Sequence, residues 1–438
     1  MFTGWVDQFA AKLMTPEDAA RLVQPGDCIV IPIGVIAPSI CRAIWDRRDE
    51  LAGCEVLACA PYVDPGWFEP GDPAFATNIE IFTTLPARTS VASHRTGFIS
   101  VLFSQRFKHE QDPGRAPAHA VDVAIISVSP PDRFGFCSFG TSMWNKAAYA
   151  RRARVVLAEM YSGYPRTGGA NRIHVSEIDA FVEGATPPPP PARERPPFPP
   201  AIAAHVNELI RDGDTIQVGT GAMTAQLVLG GAFAGKEDLG VHSEISVPGM
   251  NELVRTGVFN GARKTLHPGK YVATALIAQT PDEVEFIHEN PAYEVYDVEY
   301  TNDVRVIAAH DNMVAINNAM AVDFTGQVAA ESVGPDMWSG PGGQFEFAMG
   351  AMMSRGGRSI TVLPSTAKDG TVSRIVPGHP PGTPITVPRQ IVDFVVTEWG
   401  IARLYGKSDR ERAAELIAIA HPDHRAELRR QAGRLLAE

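Results

Sequence analysis

The stretches "PGDCIVIPIGVIAPSICRAI" (25–44) and "DGDTIQVGTGAMTAQLVL" (212–229) decide the fold of this chain. Each reads as a turn, a short strand of β-branched and apolar residues, a glycine-bearing loop and a helix. That order is the first βα unit of an open α/β domain. Gly26 and Gly213 stand 187 positions apart (213 − 26), and so do Gly34 and Gly221 (221 − 34). One offset at both pairs points to an internal duplication.

Outward from these stretches, continuous apolar runs read as strands covered on both faces. "VDVAIISVS" (121–129) and "RVVLAEM" (154–160) belong to the first half. "DVRVIAAH" (303–310), "ITVLPS" (360–365) and "DFVVTE" (393–398) belong to the second. "PSICRAIWDRRDEL" (38–51) and "TAQLVLGGAF" (224–233) fit helices, as do "RERAAELIAIA" (410–420) and the amphipathic tail from Pro422. Between the halves lies "GATPPPPPARERPPFPP" (184–200), through which neither a helix nor a central strand can run. The expected architecture is α/β: two tandem, similar open domains, 1–183 and 201–438, joined by a linker at 184–200 and sharing an active-site cleft.

Bulk composition narrows the function classes. The chain has 438 residues, 45% hydrophobic and 20% charged, an ordinary globular balance. A net charge of -11 argues against general nucleic-acid binding. No apolar run is long enough for a membrane span, and the start, "MFTGWVDQFAAKLM", does not read as a secretory signal. The five cysteines, Cys28, Cys41, Cys54, Cys59 and Cys137, include no C-x-x-C pair. They read as reduced thiols in a cytoplasmic protein rather than as disulfides or zinc ligands.

Four motifs carry possible chemistry, each with a plainer structural reading. In "VGTGAMTAQ" (218–226), Gly219 and Gly221 lie between strand and helix, where backbone amides suit an anion. Glu244 follows Gly219 by 25 positions (244 − 219), near where a dinucleotide fold places its ribose ligand. The third glycine of that fingerprint is Thr224. In "SGPGGQ" (339–344), Gly340, Gly342 and Gly343 crowd one loop, either an amide cradle or a turn that needs positive φ. In "PSTAKDGTVSRIVP" (364–377), Lys368 and Arg374 either pair with a phosphate or carboxylate or stand on a solvated hairpin. "FGFCSFGTS" (134–142) either lines the cleft or caps the core. His242 and Glu244 share a strand face but lack an obvious third metal ligand, so no metal site is expected.

Six blocks then occur in order: "GVHSE" (240–244), "AINNAMAVDFTGQV" (315–328), "SGPGGQFEFAMGAMMSRGG" (339–357), "STAKDGTVSRIVP" (365–377), "VVTEWGIARLYG" (395–406) and "LIAIAHPDHR" (416–425). With "FGFCSFGTS", "VVLAEM" and "RIHVSEIDAFVE" in the first half, the chain resembles the acetyl-CoA hydrolase/transferase family, and within it the 4-hydroxybutyrate and butyryl CoA-transferase branch of class I CoA-transferases. The resemblance implies two similar α/β halves and a nucleophilic Glu244. It implies an oxyanion hole at Gly342 and Gly343 and an active-site Glu398. Asn317 or Asn318 would contact the acyl group, and Gly219, Gly221, Gly340, Gln344, Lys368 and Arg374 complete the substrate- and CoA-binding set. Pro248-Gly249 replaces the usual Asp-Gly, and "AEMYSGYP" replaces "AEVN", so both loops are places where the acyl pocket would differ.

A carboxylate in a dry cleft, aimed at a thioester, gains from proximity. Glu244 would pass through an acyl anhydride to a glutamyl-CoA thioester, and amides on the developing oxyanion would each supply roughly 3 kcal/mol. Glu244 must be ionised to attack, so its site is expected to offer donors or a cation. The CoA thioester is a substrate, and no bound cofactor is implied. A homodimer is expected. The alternatives are an acyl-CoA hydrolase using the same glutamate, an NAD-dependent oxidoreductase and a non-catalytic acyl-CoA-binding protein.

Overall fold

The computed structural model describes residues 4–68, 74–112, 114–185, 199–221 and 223–433. The segment read as a linker lies outside them over 186–198. The chain divides into two units, Met1–Pro190 with Ala278–Tyr300, and Pro191–Ile277 with Thr301–Glu438.

In the first unit the elements are β1 (Cys28–Ile31), α1 (Pro38–Asp46), β2 (Glu55–Ala58), β3 (Ala76–Glu80), β4 (Thr96–Ile99), β5 (Val123–Val128), α2 (Lys146–Ala150), β6 (Val155–Met160) and β7 (Ala180–Glu183). They form a parallel sheet in the order β7-β6-β5-β1-β2-β3-β4. Every residue of β1, β5 and β6 is buried, which is why these strands read as unbroken apolar runs. The segment 278–300, read as part of the second half, packs here. Glu294 and Val295 pair with Gly168 and Gly169. The Ala148 N–H donates to Asp297 Oδ2 (3.0 Å), and the Val298 N–H to the Trp144 carbonyl (3.1 Å).

The second unit repeats the plan with β8 (Thr215–Val218), β9 (Gly240–Ile245), β10 (Tyr271–Ala275), α3 (Val304–Ala308), β11 (Met313–Asn318), α4 (Gln344–Met353), β12 (Arg358–Val362), β13 (Phe394–Thr397), β14 (Gly400–Arg403), α5 (Asp409–Ala418) and α6 (Pro422–Gln431). Its strands run β14-β13-β12-β11-β8-β9-β10, all parallel except β14 against β13. A core that includes Phe324, Leu363, Val395, Leu416 and Ile417 lies under the β13 and α5 side.

Two expected elements differ. "DVRVIAAH" is helix α3 rather than a strand. Asp303 caps it by accepting from the Arg305 N–H (2.8 Å), and Ile307 and His310 are buried at helical spacing. The strand of this region is β11, after it. "TAQLVLGGAF" is helical only over Thr224–Leu227, because Gly231 turns the chain at φ +87.

The duplication reaches the side chains. β1 and β8 keep the 187-residue offset at both ends (215 − 28 and 218 − 31). Gly26 and Gly213 both have positive φ, +84 and +80. The next residue in each copy closes the turn on itself. Asp27 accepts from the Gln24 N–H (2.8 Å) and Asp214 from the Arg211 N–H (2.7 Å). Each aspartate also pairs with an arginine at the start of a matching strand, Asp27 with Arg154 (2.7 Å) and Asp214 with Arg358. Register carries the match further. Cys28 lies opposite Glu55, and Thr215 opposite Gly240. Four residues beyond these partners stand Cys59 in one unit and Glu244 in the other (59 − 55 and 244 − 240).

Candidate active site

β9 is buried over Gly240–Glu244, and its alternation puts His242 and Glu244 on one face. Glu244 is only 8% exposed. Two neutral donors hold it: the Asn302 amide, with Nδ2 2.7 Å from Oε2, and the backbone N–H of Gly343 at the start of α4. Asn302 is itself fixed. Its Oδ1 accepts from the Thr301 hydroxyl (3.0 Å), so Nδ2 must face the carboxylates. The same Nδ2 lies 3.4 Å from Oε2 of Glu346, a buried residue on the first turn of α4.

Behind Glu244, His242 Nε2 lies 2.8 Å from the Thr301 carbonyl, which only accepts, so this nitrogen carries the proton. The His242 ring packs 4.6 Å from His310 and 6.2 Å from Phe347 of α4. Burial drives the His242 pKa well below the usual histidine range and that of His310 down to about 3. Both rings are therefore neutral packing partners near neutral pH.

The donors around Glu244 favour its charged form, as expected, but burial outweighs them. The carboxyl is raised from 4.5 to about 7, by desolvation first, against the hydrogen bonds from Asn302 and Gly343. Gly343 is required by close approach. A Cβ there would overlap the Asn302 amide nitrogen and Glu244 Oε2. Gly342 is required by its left-handed backbone, φ +52.

The other sequence-predicted residues fall into two groups. At the carboxyl ends of β8 and β11, Asn317 forms a reciprocal amide pair with Gln217, both bonds 3.0 Å. A Cβ on Gly219 would overlap Asn317 Oδ1, and one on Gly221 would overlap Asn318. Those two glycines make room for asparagine side chains, and the helix after them is four residues long. This account of the loop leaves the dinucleotide reading without its support. Gln344, next to Gly343, donates from Nε2 to the Asn318 carbonyl (3.2 Å), which ties the loop before α4 to this group.

The second group gathers around Ser365, after β12. Glu398, just beyond β13, accepts from the Ser365 N–H (2.9 Å) and hydroxyl (2.5 Å). The Arg374 N–H donates to the Ser365 carbonyl (2.9 Å), while its guanidinium reaches the carbonyls of Thr366 (3.2 Å) and Met320 (3.1 Å). Lys368 is exposed in a turn at φ +49. Gly340 is buried in its loop. Sequence reading missed Asn302, Thr301, Glu346 and Gln217. Asn302 meets Glu244, and Thr301 and Glu346 meet Asn302, only through tertiary folding, and no spacing in the chain announces them.

Fold and site together define a protein of two α/β units, each built on a largely parallel sheet, one of which holds a buried carboxylate against the amino end of a helix. Family comparison gives that class its name. The acetyl-CoA hydrolase/transferase N-terminal domain matches residues 5–188, and the C-terminal domain of the same family matches residues 281–432. The chain belongs to the acetyl-CoA hydrolase/transferase family. It is 38% identical to the 4-hydroxybutyrate coenzyme A transferase of Clostridium kluyveri, over 97% of this chain and 98% of that one. It is 37% identical to the succinyl-CoA:cyclohexane-1-carboxylate CoA transferase of Geobacter metallireducens, over 98% and 96%. Among solved structures, RipA from Yersinia pestis superposes with a TM-score of 0.88 at 30% identity, covering 98% of this chain and 99% of that one. The 4-hydroxybutyrate CoA-transferase from Porphyromonas gingivalis does so at 0.77 and 32%, with the same coverage.

Proposed function

We propose that this protein is a CoA-transferase that moves CoA from an acyl-CoA thioester to a carboxylate acceptor, with Glu244 as nucleophile. The observation that carries the reading is the setting of Glu244: a buried carboxylate held by two neutral donors, Asn302 and the Gly343 N–H, at the carboxyl end of a parallel strand.

In this reading, ionised Glu244 attacks the thioester carbonyl. The acyl–sulfur bond breaks, leaving an acyl-glutamyl anhydride and a CoA thiolate. The thiolate then attacks the glutamyl carbonyl, the acyl group departs as a carboxylate, and a glutamyl-CoA thioester remains. An incoming carboxylate reverses the two steps and leaves as the new acyl-CoA. Bonds of similar energy are exchanged throughout, so the cycle requires no nucleotide hydrolysis.

In the second step the developing oxyanion is the glutamyl oxygen itself, which Asn302 and Gly343 already hold. Fixed donors at that atom need no reorganisation as charge grows, and each is worth roughly 3 kcal/mol. Gly342 and Gly343 serve as the amide cradle, Asn317, Asn318 and Gln344 face the acyl group, and Gly219 and Gly221 keep the loop close to it. Gly340, Lys368, Arg374 and Glu398 belong to the wider CoA surface. The domains are 1–183 and 201–438 about the proline-rich linker, with 278–300 returned to the first. The protein works as a cytoplasmic homodimer on small-molecule substrates, with the CoA thioester its only coenzyme.

Glu244→Ala tests the reading: acyl transfer is abolished while the far-ultraviolet circular dichroism stays that of the parent. Borohydride trapping after acyl-CoA addition should modify the peptide bearing Glu244, and an unmodified peptide would overturn the covalent route. CoA release that is equally fast with and without acetate would identify a hydrolase instead.

A further inference from the structure

Glu346 is a buried acid that the acyl-transfer steps leave without a task. It stands in the first turn of α4, 1% exposed, and its Oε2 lies 3.4 Å from Asn302 Nδ2. The same nitrogen lies 2.7 Å from Glu244 Oε2. An amide nitrogen carries two N–H groups, so Asn302 serves both carboxyls at once. The two oxygens are then no more than 6.1 Å apart (2.7 + 3.4). At that separation and an effective dielectric constant of about 20, charge on one carboxylate makes the proton of the other about a hundredfold harder to remove.

Which acid ionises first follows from the surroundings. Both sit at the amino end of α4, so the helix dipole favours charge on either. Glu244 has the shorter bond to Asn302, accepts the Gly343 N–H and keeps more contact with solvent, 8% exposed against 1%. The first negative charge therefore settles on Glu244, and Glu346 keeps its proton. Titratable groups on the elements around α4 leave this order intact. His242 and His310 are neutral through burial. Arg305 of α3 pairs with Asp303, Arg358 of β12 with Asp214, and Arg389, ahead of β13, with Asp409 (3.6 Å).

We infer that Glu346 balances charge at Glu244 during acyl transfer: it holds a proton while Glu244 is an anion and gives it up when Glu244 becomes a thioester. This rests on the CoA-transferase reading. Charging by itself moves no proton, because the Glu244 carboxylate and the acyl-CoA become glutamyl-CoA and the acyl carboxylate. Once Glu244 carries CoA its charge is gone, and the repulsion that kept the proton on Glu346 goes with it. The Glu346 O–H bond then breaks, its electron pair stays on the carboxylate, and the proton passes to solvent. When an acceptor takes the CoA and Glu244 is an anion again, Glu346 takes a proton back. Asn302 Nδ2 so keeps an anionic acceptor at every stage, which holds it in position for the returning attack.

The test mixes the protein with butyryl-CoA in weakly buffered solution at about pH 8 and follows a pH indicator alongside the burst of glutamyl-CoA. The parent should release protons in step with the burst, up to one for each Glu244 charged, and Glu346→Gln should release none. A burst without protons in the parent, or the same release from Glu346→Gln, overturns the pairing. A second measurement needs neither turnover nor that variant. Carbon-13 NMR of protein labelled at its glutamate carboxyls follows Glu346 in the parent and in Glu244→Gln. Without the charge at 244, Glu346 should lose its proton about two pH units lower, the same hundredfold change. Equal midpoints overturn the inference. Should the parent form no glutamyl-CoA, the CoA-transferase reading fails by itself, and the NMR titration still decides the pair.

Discussion

At Glu244, reactivity and stability pull in opposite directions. Burial raises the carboxyl from 4.5 to about 7, although two donors favour its charge. In the proposed role of nucleophile only the ionised form attacks a thioester, so kcat/KM for acyl-CoA should climb with pH along a limb centred near 7. A limb centred near 4.5 would contradict the buried setting. The same shift acts on folding with a definite sign. A raised acid favours the fold fully below about pH 4.5, and that contribution is lost as pH rises through about 7. Glu244→Gln never ionises and escapes the loss. Its stability advantage over the parent should therefore widen by about 3 kcal/mol between about pH 4 and pH 8, read from denaturant unfolding at each pH. Of this setting, the sequence makes Glu244, Gly342 and Gly343 legible through the six ordered blocks. Asn302 was not legible, because it reaches Glu244 from 58 residues away, from the turn just before a helix that reads as a strand. The β-branched Val304, Val306 and Ile307 suggest extended chain, and the Asp303 cap outweighs them.

Among the elements, the repeated strand–loop unit is where local pattern and structure agree most closely. β1 and β8 fall where the apolar runs place them, with the same glycine turn before each. The copies differ in how deeply they bury the aspartate–arginine pair. Arg358 and Asp214 are almost wholly buried, with side-chain exposures of 6% and 1%, whereas Arg154 is 43% exposed. Removing one partner of a buried pair strands a charge and typically costs about 3–5 kcal/mol, while a surface-exposed pair is worth at most about 1. Arg358→Ala should therefore destabilise the protein by several times as much as Arg154→Ala, as measured by denaturant midpoints at constant slope. Comparable losses would mean that burial does not govern the two pairs. The short helix after β8 was less legible. "TAQLVL" looks helical for two turns, but the Gly230-Gly231 pair ends it early.

For the whole molecule, the proline-rich stretch invites the view that the chain can be cut there into two self-sufficient halves. The segment 278–300 argues otherwise. It brings the Asp297 carboxylate to the Ala148 N–H and pairs Glu294 and Val295 with Gly168 and Gly169. A fragment of residues 1–190 loses those partners and should unfold without a cooperative transition. Adding 278–300 through a flexible joint should restore one, as followed by circular dichroism. A sharp transition in the shorter fragment would show that the returning segment is dispensable. No periodicity in 278–300 signals this return, because its ties to the first unit are scattered: a two-residue strand pair, isolated bonds such as the one from the Ala148 N–H to Asp297, and the Arg152–Glu299 ion pair.

The register match between Cys59 and Glu244 bears on how many times one polypeptide can be charged with substrate. Cys59 has no exposed surface, and burial, reinforced by the neighbouring Glu80, drives its pKa far above the thiol range. It stays an inert sulfhydryl where its counterpart is an ionisable acid. Ancestry supplied two equivalent positions, yet one of them has no chemistry to offer. Mass spectrometry of protein saturated with acyl-CoA and quenched with borohydride should therefore find a single adduct per polypeptide, and none on sulfur.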